Sequence, residues 1–307
     1  MASLQTIGNH QAAEADLKKL NELRAYQEIA NLNETISKQP NDARAYYLRA
    51  NAYRKLQQYQ NAIADFTRAI QLKPDDASFY DERGNTYFSL QKYQNAIADF
   101  TKAISFNLDN ADVYNNRGVA YKNLRQYRRA IADYTKAIEL KPKYAIFYVN
   151  RGEVYFKASD YQKAIADFTK AIELQPNNAN AYFGRGVVYQ KQGNDDAALA
   201  EYNLAIDKNE NFTPAINNIG LLAYEMGNIE EAIKRWQKSI AIDNEIAEPQ
   251  LALAVALYNK GEKAKGIEMA KKALKLDKNL GELDYLKKNL WSDRLLTDAQ
   301  KLLENLK

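Results

Sequence analysis

Apolar residues between 111 and 144 fall into two helical sets separated by a polar turn. Tyr114, Tyr121 and Leu124 recur at steps of seven and three; after Tyr127, the side chains of Ala130, Ile131, Tyr134, Ala137, Ile138 and Leu140 share one face. That spacing predicts two helices. Lys141-Pro142 ends the second helix, because proline lacks the amide hydrogen that a further turn requires. The same arrangement returns every 34 residues from Ala43 to Leu280. With Ala43 as position 1, position 4 is Tyr46, Tyr80, Tyr114, Tyr148 and Tyr182, and position 11 is Tyr53, Tyr87, Tyr121, Tyr155 and Tyr189. Position 20 is Ala62, Ala96, Ala130, Ala164, Ala198 and Ala232, followed at position 24 by Phe66, Phe100, Tyr134, Phe168, Tyr202 and Trp236. One helix pair cannot bury its apolar face alone, so a fixed period of this size predicts a stack of pairs, each leaning on its neighbours.

The register divides the chain into seven units, 43–76, 77–110, 111–144, 145–178, 179–212, 213–246 and 247–280. Residues 1–42 read as an N-terminal helical cap, with Leu17, Leu20, Leu23, Tyr26, Ile29, Leu32 and Ile36 at helical spacing. Residues 281–307 read as C-terminal capping helices. Leu283, Leu286, Leu290 and Trp291 mark a short one, Leu295, Leu296, Leu302 and Leu303 another, and Lys287 and Lys288 stand where an internal unit would pack.

Glycine or alanine at position 8 (Ala50, Gly84, Gly118, Gly152, Gly186, Gly220), alanine at 27 (Ala69, Ala103, Ala137, Ala171, Ala205) and proline at 32 (Pro74, Pro142, Pro176) complete the pattern. The chain resembles the tetratricopeptide repeat, closely from Ala43 to about Tyr202 and more loosely beyond, where Ala223 takes the tyrosine's place at position 11. The resemblance implies an all-α, right-handed superhelical solenoid of helix-turn-helix repeats. The C-terminal Leu-Trp and Leu-Leu clusters look similar to tails of cyanobacterial members. One departure from the family is internal: five units carry arginine at position 7 (Arg49, Arg83, Arg117, Arg151, Arg185) where leucine is favoured. The same units carry Asp65, Asp99, Asp133, Asp167 and Glu201 at position 23; the sixth has Ile219 and Arg235 instead. The two positions change together, which predicts a cross-helix ion pair with the arginine stem lying over aromatic rings.

The resemblance also implies that a concave groove, reached from positions 2, 5, 6, 9, 12 and 13 of the first helices, holds a peptide or partner-protein segment. Asn116, Asn150 and Asn218 at position 6, Asn115 and Asn217 at position 5 and Asn85 at position 9 offer donors and acceptors to an extended backbone. Phe156, Phe183, Tyr224 and Tyr258, with Phe88, Val119, Val149, Val187, Leu221, Leu251 and Val255, would give the groove apolar walls. The family's clamp for a chaperone tail needs three basic groups. The corresponding residues here are Asp81, Asn85, Asn116, Ile146 and Asn150, so a carboxylate would find no counter-charge.

Composition narrows the chemistry. There is no cysteine, and the single histidine, His10, sits in a polar stretch where it reads as exposed and idle, so thiolate, Cys-metal and His-centred sites are excluded. Glycine-rich phosphate loops and nucleophile elbows are absent. A formal charge of +4 spread over 307 residues does not favour nucleic acid. No apolar run is long enough to cross a membrane and residues 1–10 lack a signal-peptide pattern, so the expectation is a soluble protein, cytoplasmic if the chain is complete. The reading is a non-catalytic interaction scaffold for complex assembly, without metal or cofactor. Self-association into a homo-oligomer is the alternative, and RNA binding a lesser one.

Overall fold

In a computed structural model, which describes residues 2–106 and 110–306 with side chains from residue 16 onward, every regular element is helical. His10 lies outside the described side chains. The helices form two compact units, Met1–Lys143 and Tyr144–Lys307. The first holds α1 (Ala2–Lys38), α2 (Ala43–Lys55), α3 (Tyr59–Leu72), α4 (Ala77–Ser89), α5 (Tyr93–Ser105), α6 (Ala111–Asn123) and α7 (Tyr127–Leu140). The second holds α8 (Ala145–Lys157), α9 (Tyr161–Leu174), α10 (Ala179–Lys191), α11 (Asp195–Lys208), α12 (Thr213–Glu225), α13 (Ile229–Ile242), α14 (Ala247–Asn259) and α15 (Lys263–Leu276). A short 3-10 turn, Lys278–Gly281, then leads to α16 (Leu283–Lys288) and α17 (Asp293–Glu304).

Local chemistry sets the helix ends. The side chains of Asp42, Asp76, Asn110 and Asn178 accept from backbone amides at the starts of α2, α4, α6 and α10, satisfying donors that a helix start leaves orphaned. Within each pair the first helix ends in a residue of positive φ: Gln57, Gln91, Arg125 and Ser159, then Gly193, Gly227 and Gly261. The turn therefore needs the left-handed conformation, and only the last three pairs meet it with the residue that adopts it without strain.

Packing follows the register. Gly118 leaves the room that the Tyr134 ring fills, since a Cβ there would lie 2.8 Å from Tyr134 Cε1; Gly220 does the same for Trp236, at 2.5 Å from Nε1. The alanines at position 20 are fully buried. The expected arginine pairs are present in all five units. Arg49, Arg83, Arg117 and Arg151 each grip one aspartate with two parallel bonds, Nε to Oδ2 and Nη2 to Oδ1, at 2.7–2.8 Å. Arg185 makes a single 2.8 Å bond to Glu201. The four two-pronged guanidinium groups lie between the tyrosines of positions 4 and 11; that of Arg117 is 5.7 Å from the Tyr114 centroid and 5.9 Å from that of Tyr121.

A third nitrogen extends the grip to the preceding pair. Arg83 Nη1 donates to Thr67 Oγ1, Arg117 Nη1 to Thr101 Oγ1 and Arg185 Nη1 to Thr169 Oγ1, each at 3.0 Å. The arginines thus tie helix to helix within a pair and, within each unit, pair to pair. Ile219 has no such nitrogen, and the joint before α12 carries no arginine bond: Ile219 and Leu222 pack in one cluster with Ala198, Tyr202 and Ala205, and Asn218 Nδ2 donates to Tyr202 Oη beside them.

Candidate functional site

First helices of successive pairs touch one another, α2 with α4, α4 with α6 and α8 with α10, so their remaining faces form a continuous surface within each unit. In the first unit this surface is polar and internally bonded. Asn115 Nδ2 donates to Asn116 Oδ1, Asn116 Nδ2 to Asn85 Oδ1 and Asn85 Nδ2 to Asp81 Oδ1, at 3.3, 3.1 and 3.4 Å. Glu82 pairs with Arg54 and Asp112 with Lys141. The expected asparagine cluster of this unit is therefore assembled, with its amides engaged mainly with one another.

Asp81 belongs to that chain and carries its strain. Burial, and next the neighbouring Glu82 charge, push its carboxyl up to about 6, with Asp112 adding to the effect and Arg54 and Asn85 opposing it. An ordinary aspartate in the unfolded chain titrates near ~3.9. Between about pH 4 and 6 the folded state then holds a proton that the unfolded state has released, so stability falls as pH rises through this window. Asp81→Asn, which keeps the acceptor for Asn85, should raise stability at pH 7 by about 1–2 kcal/mol and leave it unchanged near pH 4. Urea titrations of both proteins at the two pH values check this, and a pH-independent difference would refute it.

In the second unit the surface has an open part and a covered part. The open part is a cavity of ≈ 320 Å³ bounded by α8, α10 and the start of α12 and lined by Phe156, Phe168, Phe183, Val187, Phe212 and Pro214. Phe183 meets Phe212 edge-on at 5.5 Å and Tyr202 at 5.6 Å, which fixes one wall. Gly184 makes the floor: a Cβ there would fall 2.5 Å from the Phe168 ring, so any side chain would displace it. Glu153, Lys157 and Asn180 stand at the edge. Such a site takes a large apolar side chain and offers polar atoms to the backbone beside it. The wider concavity of ≈ 1010 Å³ beside α1 is instead lined largely by polar and charged chains such as Lys18, Asn21, Glu22, Arg24 and Lys55.

The covered part lies over α12 and α14, against which α17 packs. Leu221, Tyr224, Leu251 and Val255, expected as open groove walls, are buried in one cluster with Leu286, Trp291, Leu295, Ala299 and Leu302. The structure thus corrects that expectation, because the chain's own C-terminal helix covers these side chains. Asn217 and Asn218 are buried too, at 5% and 7% exposure, and Asn218 Nδ2 donates to Tyr202 Oη. Tyr224 Oη donates to Asp298 Oδ2 at 2.8 Å; burial first, and then this bond, raise its pKa. Tyr258 is half-buried, with Lys263 Nζ 5.7 Å from its ring centroid, and Asn150 is half-buried on α8.

Of the expected site residues, the structure brings together Asn85, Asn115 and Asn116 in one unit and Phe156 and Phe183 in the other. Sequence reasoning missed Gly184, Phe168, Phe212 and Pro214. A signal for Phe212 existed: it occupies position 34, where three other units carry a capping Asp or Asn. Among the described residues no group of three or more His, Cys, Asp or Glu could hold a metal, and no helix is long and apolar enough to cross a membrane.

Comparison with known proteins agrees with this architecture. TPR repeat profiles match residues 84–124, 152–193 and 220–261, and tetratricopeptide repeat profiles match 43–76, 111–144, 133–166, 179–212 and 247–280. No curated protein sequence matches. Among solved structures, YrrB, described as a TPR protein with an unusual peptide-binding site, is 25% identical with a TM-score of 0.53, over 60% of this chain and 95% of its own. The MamA protein is 25% identical at a TM-score of 0.52, over 55% and 92%. A tetratricopeptide repeat protein from Parabacteroides merdae shares the fold at 19% identity and a TM-score of 0.66, over 91% and 100%.

Proposed function

Because this chain belongs to the tetratricopeptide-repeat family, whose members generally mediate protein–protein interactions, we propose that it is a non-catalytic scaffold that holds a segment of a partner protein during complex assembly. The observation that carries this reading is the open aromatic cavity of Phe156, Phe183, Val187 and Phe212, which suits a leucine, methionine or aromatic anchor. Peptide binding by YrrB supports it at the level of the family. The bonded asparagines of the first unit supply a second, polar surface that could exchange its internal hydrogen bonds for those of an extended backbone.

Selection of peptides from a displayed random library against the purified chain tests the proposal. Enriched sequences should share a large apolar anchor, and Val187→Asp should weaken them at least tenfold at unchanged helicity, since the anchor would then desolvate a carboxylate. Absence of enrichment, or equal binding to the variant, would sink it.

A further inference from the structure

A narrow apolar stripe holds α17. Three of its side chains, Leu295, Ala299 and Leu302, are buried, at helical steps of four and three. Polar contacts complete the docking. Tyr224 Oη donates to Asp298, the Arg294 guanidinium stands 5.3 Å from the Tyr224 centroid, and Trp291 Nε1 donates to Glu248 Oε1 at 2.8 Å. These contacts fall on α12 and α14, the first helices of their pairs, at positions 12 and 2 of the register. A helix of 12 residues is too short to persist alone in water, so α17 owes its helicity to this docking and would leave as a unit. The hinge is strained: Leu290, between α16 and α17, is held at φ 68°, a conformation that a branched side chain adopts at a cost and would relax from on release.

We propose that the surface over α12 and α14 is a binding site for an amphipathic helix, that α17 is its resident occupant, and that a partner helix of the same pattern competes for it. The ligand is defined by α17 itself: Arg-Leu-x-x-Asp-Ala-x-x-Leu, as in Arg294 to Leu302. Leucine, alanine and leucine enter the apolar cluster, the carboxylate accepts from Tyr224, and the arginine covers its ring. Because α17 is tethered, its effective concentration is on the order of millimolar, and a free helix gains access only where the resident helix is weakened or the partner binds more tightly. The inference stands on the contacts of α17 and does not depend on the open aromatic cavity.

Hydrogen exchange on the full chain, read together with fluorescence anisotropy of a labelled peptide spanning Ser292 to Asn305, tests it. The α17 amides should exchange faster than those of α12 and α14, reporting separate opening of this helix. Asp298→Ala in the protein removes the acceptor of Tyr224 from the resident helix and leaves the site over α12 and α14 intact; it should raise the α17 exchange rate about tenfold and tighten binding of the added peptide, which keeps its Asp298, by the same factor. A peptide carrying Leu295→Asp and Leu302→Asp should not bind, and Val187→Asp in the protein should leave binding of the native peptide unchanged. If α17 exchanges only in step with α12 and α14 and no variant takes up the peptide, α17 is a permanent part of the core and the proposal fails. It fails equally if Val187→Asp abolishes uptake, because the peptide would then occupy the aromatic cavity.

Discussion

Replacing Arg117 with leucine is expected to destabilise the chain by about 3 kcal/mol, although leucine is what the family favours at that position. The loss comes from Asp133. Its side chain is 7% exposed, and without the guanidinium it would retain a buried charge and lose both of its 2.7–2.8 Å bonds. Arg117→Lys should rescue little, because an ammonium cannot make two parallel bonds to the carboxylate and does not stack on Tyr114 and Tyr121 as a planar group does. The double replacement Arg117→Leu, Asp133→Leu should recover most of the loss, since exchanging a buried pair for apolar residues is often neutral or stabilising. Urea midpoints of the four proteins decide the matter. A single-variant loss below about 1 kcal/mol would mean that water already shields the pair.

Trp236→Ala should cost more, about 3–5 kcal/mol, because it empties the largest fully buried side chain of the second unit. The ring fills the space above Gly220 and lies 5.9 Å from the Tyr224 centroid, and Tyr224 in turn holds Asp298 of α17. A cavity there should loosen the docking of α17 as well as the pair it sits in. The chain has two tryptophans, so in this variant Trp291, 3% exposed at the α16–α17 junction, remains as the reporter. Thermal melting and the emission maximum should shift together, toward a lower midpoint and a redder Trp291. A midpoint unchanged within a degree would show that the site collapses around the missing ring.

The helix pairs were legible because the residues that make them act locally or between fixed positions. Alanine at position 20, the aromatic at 24 and glycine at 8 form one contact, and Arg117 with Asp133 another, both repeated at the same offsets. A periodic contact leaves a periodic trace. The direction taken by α17 left none. Leu295, Leu296, Leu302 and Leu303 announced a capping helix, but the surface it meets depends on the turn at Leu290, whose left-handed backbone its side chain gives no reason to expect. That single turn decides why Tyr224, Leu251 and Val255 are buried. The aromatic cavity was half legible. Phe156 and Phe183 were identified from their positions, whereas Gly184 contributes by lacking a side chain and Phe212 by standing where three other units carry a capping side chain.

The two kinds of joint between neighbouring pairs respond differently to temperature. Where Arg83, Arg117 and Arg185 reach back to a threonine, part of the coupling is charge-assisted hydrogen bonding, which does not fade on cooling. Where Ile219 takes the arginine's place, the coupling before α12 has no charge-assisted bond of this kind and rests, beside the one neutral bond from Asn218 to Tyr202, on apolar burial, which weakens as water cools. Low temperature therefore acts selectively on the segment that carries α12, α14 and α17, loosening its seam with the preceding pair while the stapled seams keep more of their strength. A chain built on one repeated plan thus contains a preferred line of parting, set by a single exchange of guanidinium for hydrocarbon.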